Sequence, residues 1–215
     1  GSFVSLPGAD NPELVQSNPV WSPDGQWIYF CRAPVPETVR NHPEALLRGE
    51  KAKPYVTGKQ GFTFDIYRIP FNSGRGGEPQ PMPGASLNGM SNFFPSFSPD
   101  GKWMVFCRSE NFMLLRPDSS LWIMPAGGGE PRRLACNHDG LMNSWHSWSP
   151  NGKWLVFSSK ANGPYTELWL THIDDRGEAS PPLLLENFSA PQMAANIPEF
   201  LNISYDDFHH IEVER

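Results

Sequence analysis

No run of this sequence approaches the ~20 consecutive apolar residues needed to cross a bilayer, and no charged-then-apolar leader opens it. Its first residues, Gly1-Ser2 without a Met, read as a processed or engineered end. Cysteine is scarce. Cys31, Cys107 and Cys136 stand far apart with no Cys-x-x-Cys, which excludes a full disulfide framework and a zinc knuckle. Cys31 and Cys107 each follow a Phe at the same place in two repeats, the position of small core residues. Positive charge is also low: 17 Lys and Arg against 23 Asp and Glu give a formal charge of −6, with no basic cluster to track phosphates. Nucleic acid is excluded as a partner on that balance. Catalytic signatures are missing as well. There is no Gly-x-Ser-x-Gly elbow, no His-Glu-x-x-His and no phosphate-cradling glycine loop, so this chain is not expected to be an enzyme or to carry a cofactor.

Large apolar side chains and turn formers are abundant instead. Aromatic residues make up 13% of the 215, eight of them Trp, which is enough to build a core, and 23 Pro with 19 Gly point to many short strands joined by turns. The decisive feature is repetition. WSPDGQWIYFCR at 21–32, FSPDGKWMVFCR at 97–108 and WSPNGKWLVFSS at 148–159 align without a gap. Each is followed by a second apolar run (DIYRIP 65–70, SLWIMP 120–125, ELWLTH 167–172) and a third (EPQPMP 78–83, EPRRLA 130–135, SPPLLLE 180–186). Ser-Pro-Asp/Asn-Gly reverses the chain, since Pro fixes φ and Asp/Asn-Gly tolerates positive φ. The strand after it is apolar on both parities, as a strand covered on both faces must be. The class is all-β, a β-propeller of four-stranded antiparallel blades. Blade 1 spans about 14–87, blade 2 about 90–136 and blade 3 about 141–188, with a tail at 189–215.

The repeat landmarks Asp24, Asp100 and Asn151 are 76 and 51 residues apart, against about 40–45 for a standard blade. Blade 1 therefore carries an insertion, placed at 33–62, which is polar, contains a helix-compatible stretch at 43–48 and reads as a surface loop.

The runs at 22–30, 98–106 and 149–157 resemble the repeats of TolB-like β-propellers over about 18–188, and 144–174 with 190–202 resemble the end of large bacterial TolB-like propeller proteins. That resemblance implies six blades, an exported setting in the bacterial periplasm or cell envelope, and a non-catalytic scaffold for a protein, peptide or glycan partner. Some of those proteins carry a c-type haem motif upstream; Cys-x-x-Cys-His is absent here. The alternative it leaves is the accessory propeller of a hydrolase, peptidase or haem protein whose active domain lies outside this chain. Three blades are too few to close a ring. A longer chain, stray strands from 1–17 and 195–215, or a homo-dimer completing the blade ring would each supply the remainder.

Inner strands line a propeller channel, and alignment sets Gln16, Asn92 and Asn143 at one level and Pro19, Pro95 and His146 at another. The binding candidates are Asn92, Asn143, Trp145 and His146, with Arg32 and Arg108, which blade 3 replaces by Ser159. His146 reads either as a packed core group or as a donor at the channel mouth. His209 and His210, near Asp206, Asp207 and Glu212, are adjacent on the chain and diverge, so they do not suit one metal, and no metal site is expected. Asp174-Asp175 lacks calcium-loop spacing and reads as a turn.

Overall fold

The computed structural model describes residues 3–40, 53–113, 116–190 and 192–203. They form three four-stranded antiparallel sheets, each strand paired with its neighbour in sequence. The first holds β1 (Leu14–Trp21), β2 (Trp27–Pro34), β3 (Asp65–Pro70) and β4 (Gln80–Pro81). The second holds β5 (Ser91–Phe97), β6 (Trp103–Ser109), β7 (Ser120–Pro125) and β8 (Arg132–Arg133). The third holds β9 (Asn143–Trp148), β10 (Trp154–Ser159), β11 (Glu167–His172) and β12 (Leu183–Leu184). Fold class and strand order are those expected from the repeats.

The repeated tetrapeptide forms one turn built three times. The Ser22 hydroxyl donates to Asp24 at 2.5 Å and accepts the Trp27 N–H at 2.9 Å, while Asp24 also accepts the Gln26 N–H. Ser98 with Asp100 and Trp103, and Ser149 with Asn151 and Trp154, repeat it. The glycines in these turns have φ of 67°, 73° and 69°, which a side chain would strain. These hydrogen bonds hold the Asp24 and Asp100 carboxyls below the ordinary carboxylate range, Ser22 and Ser98 contributing most.

Burial explains the doubly apolar second strands. In β6, Met104 and Phe106 face blade 1 and Val105 and Cys107 face blade 3, and all four are fully buried. The lead-in to blade 2 passes so close to that blade's outer turn that a Cβ on Gly84, at φ 88°, would lie 2.3 Å from the Gly129 carbonyl oxygen.

The insertion differs from expectation. β2 runs on to Pro34, short helices follow at Glu37–Arg40 (α1) and Lys53–Val56 (α2), and the stretch 43–48 lies outside the described residues. Within the expected surface loop 33–62, residues 57–61 are exposed, but Tyr55 and Phe62 are not. Tyr55, Phe62 and Phe64 are buried with Phe112 of blade 2, ring centroids 4.9–6.2 Å apart. Asn111 ties them down: it accepts the Phe62 N–H at 2.6 Å and donates to the Tyr55 and Gln60 carbonyls at 2.9 and 3.2 Å.

All three cysteines are free and buried, and burial pushes each thiol up to about 12. Since the thiolate is the reactive form, the native protein is expected to show no fast-reacting thiol with Ellman's reagent, and all three only after denaturation. A fast native thiol would contradict this packing.

Candidate functional site

Each inner strand breaks its pairing at the same place. Register shifts fall between Ser17 and Val20 and between Phe93 and Ser96, and in blade 3 opposite Phe157 and Ser158. Inside each break stands a non-glycine residue in the left-handed region: Asn18 at φ 53°, Phe94 at 54° and Trp145 at 42°. A bulge of this kind re-aims a side chain, and left-handed backbone in a non-glycine residue costs of order 1–3 kcal/mol that the surrounding packing must supply.

The breaks converge on one cleft of about 770 Å³. Three consecutive residues from each of four segments line it, 18–20, 94–96, 145–147 and 197–199, together with Ser17 and Met113. Phe94 and Trp145 stack there, centroids 6.4 Å apart and planes at 23°. The Ser147 hydroxyl donates to the Glu199 carboxylate at 3.0 Å. No Lys or Arg is among the lining residues.

Of the sequence candidates, Trp145 and His146 reach this cleft. His146 is 9% exposed; its imidazole lies between blades, Nε2 3.2 Å from the Val105 carbonyl and Nδ1 3.7 Å from the Cys107 sulfur. Donation to Val105 places the proton on Nε2. Burial pushes the imidazole down to about 4, against a smaller opposing effect of that bond, so the ring is neutral at physiological pH.

Asn92, Asn143 and Arg108 are engaged within the blades. Asn92 donates to the Met90 carbonyl at 3.1 Å, and Asn143 to that of Leu141 at 2.8 Å, so each closes the loop before its own strand. Arg108 donates to Asn92 at 2.8 Å and to the Gly84 carbonyl at 2.6 Å and lies over Trp122. Arg32 lies over Tyr67 in the same way. Blade 3 fills this position differently. His138, from the loop before β9, packs edge-on against Trp169 at 4.3 Å with Nδ1 3.1 Å from the Ser159 hydroxyl. An imidazole and a short hydroxyl thus replace the third arginine, which alignment of the repeats misses because His138 lies outside them. Phe94 was also missed, since the repeats place Asn, Phe and Trp at its position and only the Asn signals positive φ. Asp174 accepts the N–H groups of Arg176 and Glu178, as a turn residue does. His209 and His210 lie outside the described residues, among which no group of His, Cys, Asp and Glu could hold a metal ion.

No family model matches the chain. An uncharacterised protein of Agrobacterium fabrum is 25% identical over 182 residues, 76% of this chain and 56% of that protein, so the chain spans little more than half of that relative. The oligogalacturonate lyase of Vibrio parahaemolyticus superposes with a TM-score of 0.53 at 12% identity, over 81% of this chain and 43% of that one. The three sheets are β-propeller blades. TolB from Acinetobacter baumannii is a further neighbour, with TM-score 0.47 and 20% identity over 78% of this chain and 32% of that one. The propeller likeness extends to fold alone. No helix among the described residues is long and apolar enough to cross a membrane.

Proposed function

We propose that this propeller segment is a non-catalytic binding scaffold that holds a protein, peptide or glycan partner in the channel cleft, in the periplasm or envelope of a bacterium. One observation carries the reading: the stacked Phe94–Trp145 pair presented on strained backbone at the cleft. Strain retained at a concave surface accords with a functional role. A flat aromatic platform beside one carboxylate suits an apolar side chain or the C–H face of a sugar, with Glu199 available to a donor. The exported setting rests on the likeness of the repeats to TolB-like propellers.

The test uses Trp145→Gly, which removes the ring while glycine accepts the φ of 42° without strain. Screened on peptide and glycan arrays, the wild-type chain is expected to give hits that Trp145→Gly weakens by about tenfold or more, about 1.4 kcal/mol, with an unchanged melting temperature. Hits equally strong in the variant would move the binding surface elsewhere.

A further inference from the structure

The segment after blade 3 repeats the geometry of an inner strand. The Asn92 N–H donates to the Phe64 carbonyl at 2.7 Å and the Asn143 N–H to the Ser119 carbonyl at 2.9 Å. Both acceptors sit one residue before the third strand of the preceding blade. The Ala195 N–H donates at 2.9 Å to the carbonyl of Thr166, one residue before β11. Ala195 therefore stands after blade 3 where Asn92 stands after blade 1. Two residues on, Ile197 has φ 52°, matching Phe94 and Trp145. Pro198 follows as Pro95 does, and Phe200 falls where Phe97 and Trp148 stand. Across the blade boundary the Cys31 thiol meets the backbone of Phe94 and the Cys107 thiol that of Trp145; at the matching position the Ser158 hydroxyl donates to the Ala195 carbonyl at 3.1 Å.

One feature of an inner strand is missing. β1, β5 and β9 each pair with the strand that follows, whereas no strand pairs with 195–200 among the described residues. The outward face of blade 3 is open in the same direction. Leu168 and Leu170 are partly exposed and Leu183 is 63% exposed, while Leu121 and Ile123, the counterparts of the first two in blade 2, are fully buried under blade 3.

We propose that residues 195–200 are the innermost strand of a fourth blade, and that the edge left unpaired among the described residues receives an antiparallel β-strand with the chemistry of this chain's own second strands, Trp-x-x-Phe and apolar on both parities. Backbone pairing supplies the affinity and the apolar alternation the specificity, as in β-strand addition generally. The repeats dictate the register: Asn196 opposes the counterpart of Cys107, and Glu199 that of Val105, as Phe93 and Ser96 do in blade 2. On this assignment, 195–200 holds the place that β1 of a second copy would need to dock its blade 1 directly on blade 3.

The probe is a synthetic peptide reproducing residues 101–110 and carrying Cys107→Ser, added to the intact protein and followed by amide hydrogen exchange. The amides of Asn196 and Glu199 are expected to exchange about tenfold more slowly with the peptide present, whereas that of Phe200, which donates to the Ser147 hydroxyl at 3.4 Å, is expected not to change. The same peptide N-methylated at alternate residues cannot pair and is expected to have no effect. Equal protection by both peptides, or by neither at saturation, would overturn the assignment. Protection that rises with protein concentration and needs no peptide would overturn it too, in favour of self-association.

Discussion

Acidification from neutral pH to about pH 4 is expected to remove about 3 kcal/mol of folding stability through one side chain, His146. Unfolded, this imidazole titrates at its ordinary value of 6.5; folded, burial pushes it down to about 4. Between those values the unfolded chain holds a proton that the native state does not, so stability rises with pH. The contribution is complete above about 6.5 and is lost as pH falls toward 4. The surroundings offer the charged ring little. Val105 presents a carbonyl, while the Cys107 thiol, itself pushed up to about 12, stays neutral. Denaturant melts of wild type and His146→Ala across this range provide the measurement. The variant should be about 1–3 kcal/mol less stable at neutral pH, because the Val105 carbonyl loses its donor. Its stability should then fall less steeply with acid, bringing the two curves together near pH 4. Asp24, Asp100 and Asp174 are held below the ordinary carboxylate range and lose their contribution only at lower pH, equally in both proteins. Parallel curves would contradict the buried neutral imidazole.

The second large effect concerns the long excursion of blade 1. Phe62→Ala is expected to destabilise the protein by about 3–5 kcal/mol, because Phe62 is 8% exposed and touches three other aromatic rings. Asn111→Ala should cost about 2–3 kcal/mol, chiefly by leaving the buried Phe62 N–H without this partner, with a smaller loss at the part-buried bond to the Gln60 carbonyl. Combined, the two should cost less than their sum, since both loosen one cluster. Replacing 35–61 by a short glycine-containing turn is accordingly expected to prevent folding. Circular dichroism would check this, and a cooperative melt near the wild-type temperature would show that the cluster contributes little.

These two sites mark where the sequence could and could not be read. The blades were legible because every signal in them is local: Ser22, Asp24 and Trp27 bond to one another within six residues, and that pattern is written three times. The insertion was misread because its apolar residues are isolated among charges. Tyr55 and Phe62 show no strand or helix period of their own, and their partners Asn111 and Phe112 come from another blade. The level of Asn92 and Asn143 on the inner strands was readable from alignment, but their use was not. Whether an amide faces a channel or closes its own loop depends on backbone carbonyls two residues away, at Met90 and Leu141. A weaker signal went unused at 197–200, where Ile-Pro-Glu-Phe repeats the spacing of Asn18-Pro19-Val20-Trp21 and Phe94-Pro95-Ser96-Phe97 without the Ser-Pro-Asp-Gly turn after it.

The left-handed residue in each inner strand has a consequence for how such a surface changes over time. Asn18, Phe94, Trp145 and Ile197 share one backbone conformation and almost nothing in side-chain chemistry. The main chain thus fixes where each group is displayed and leaves open what is displayed. An amide, an indole and an alkyl group stand at equivalent places, so the surface of the cleft can change one side chain at a time while the blades beneath it stay as they were.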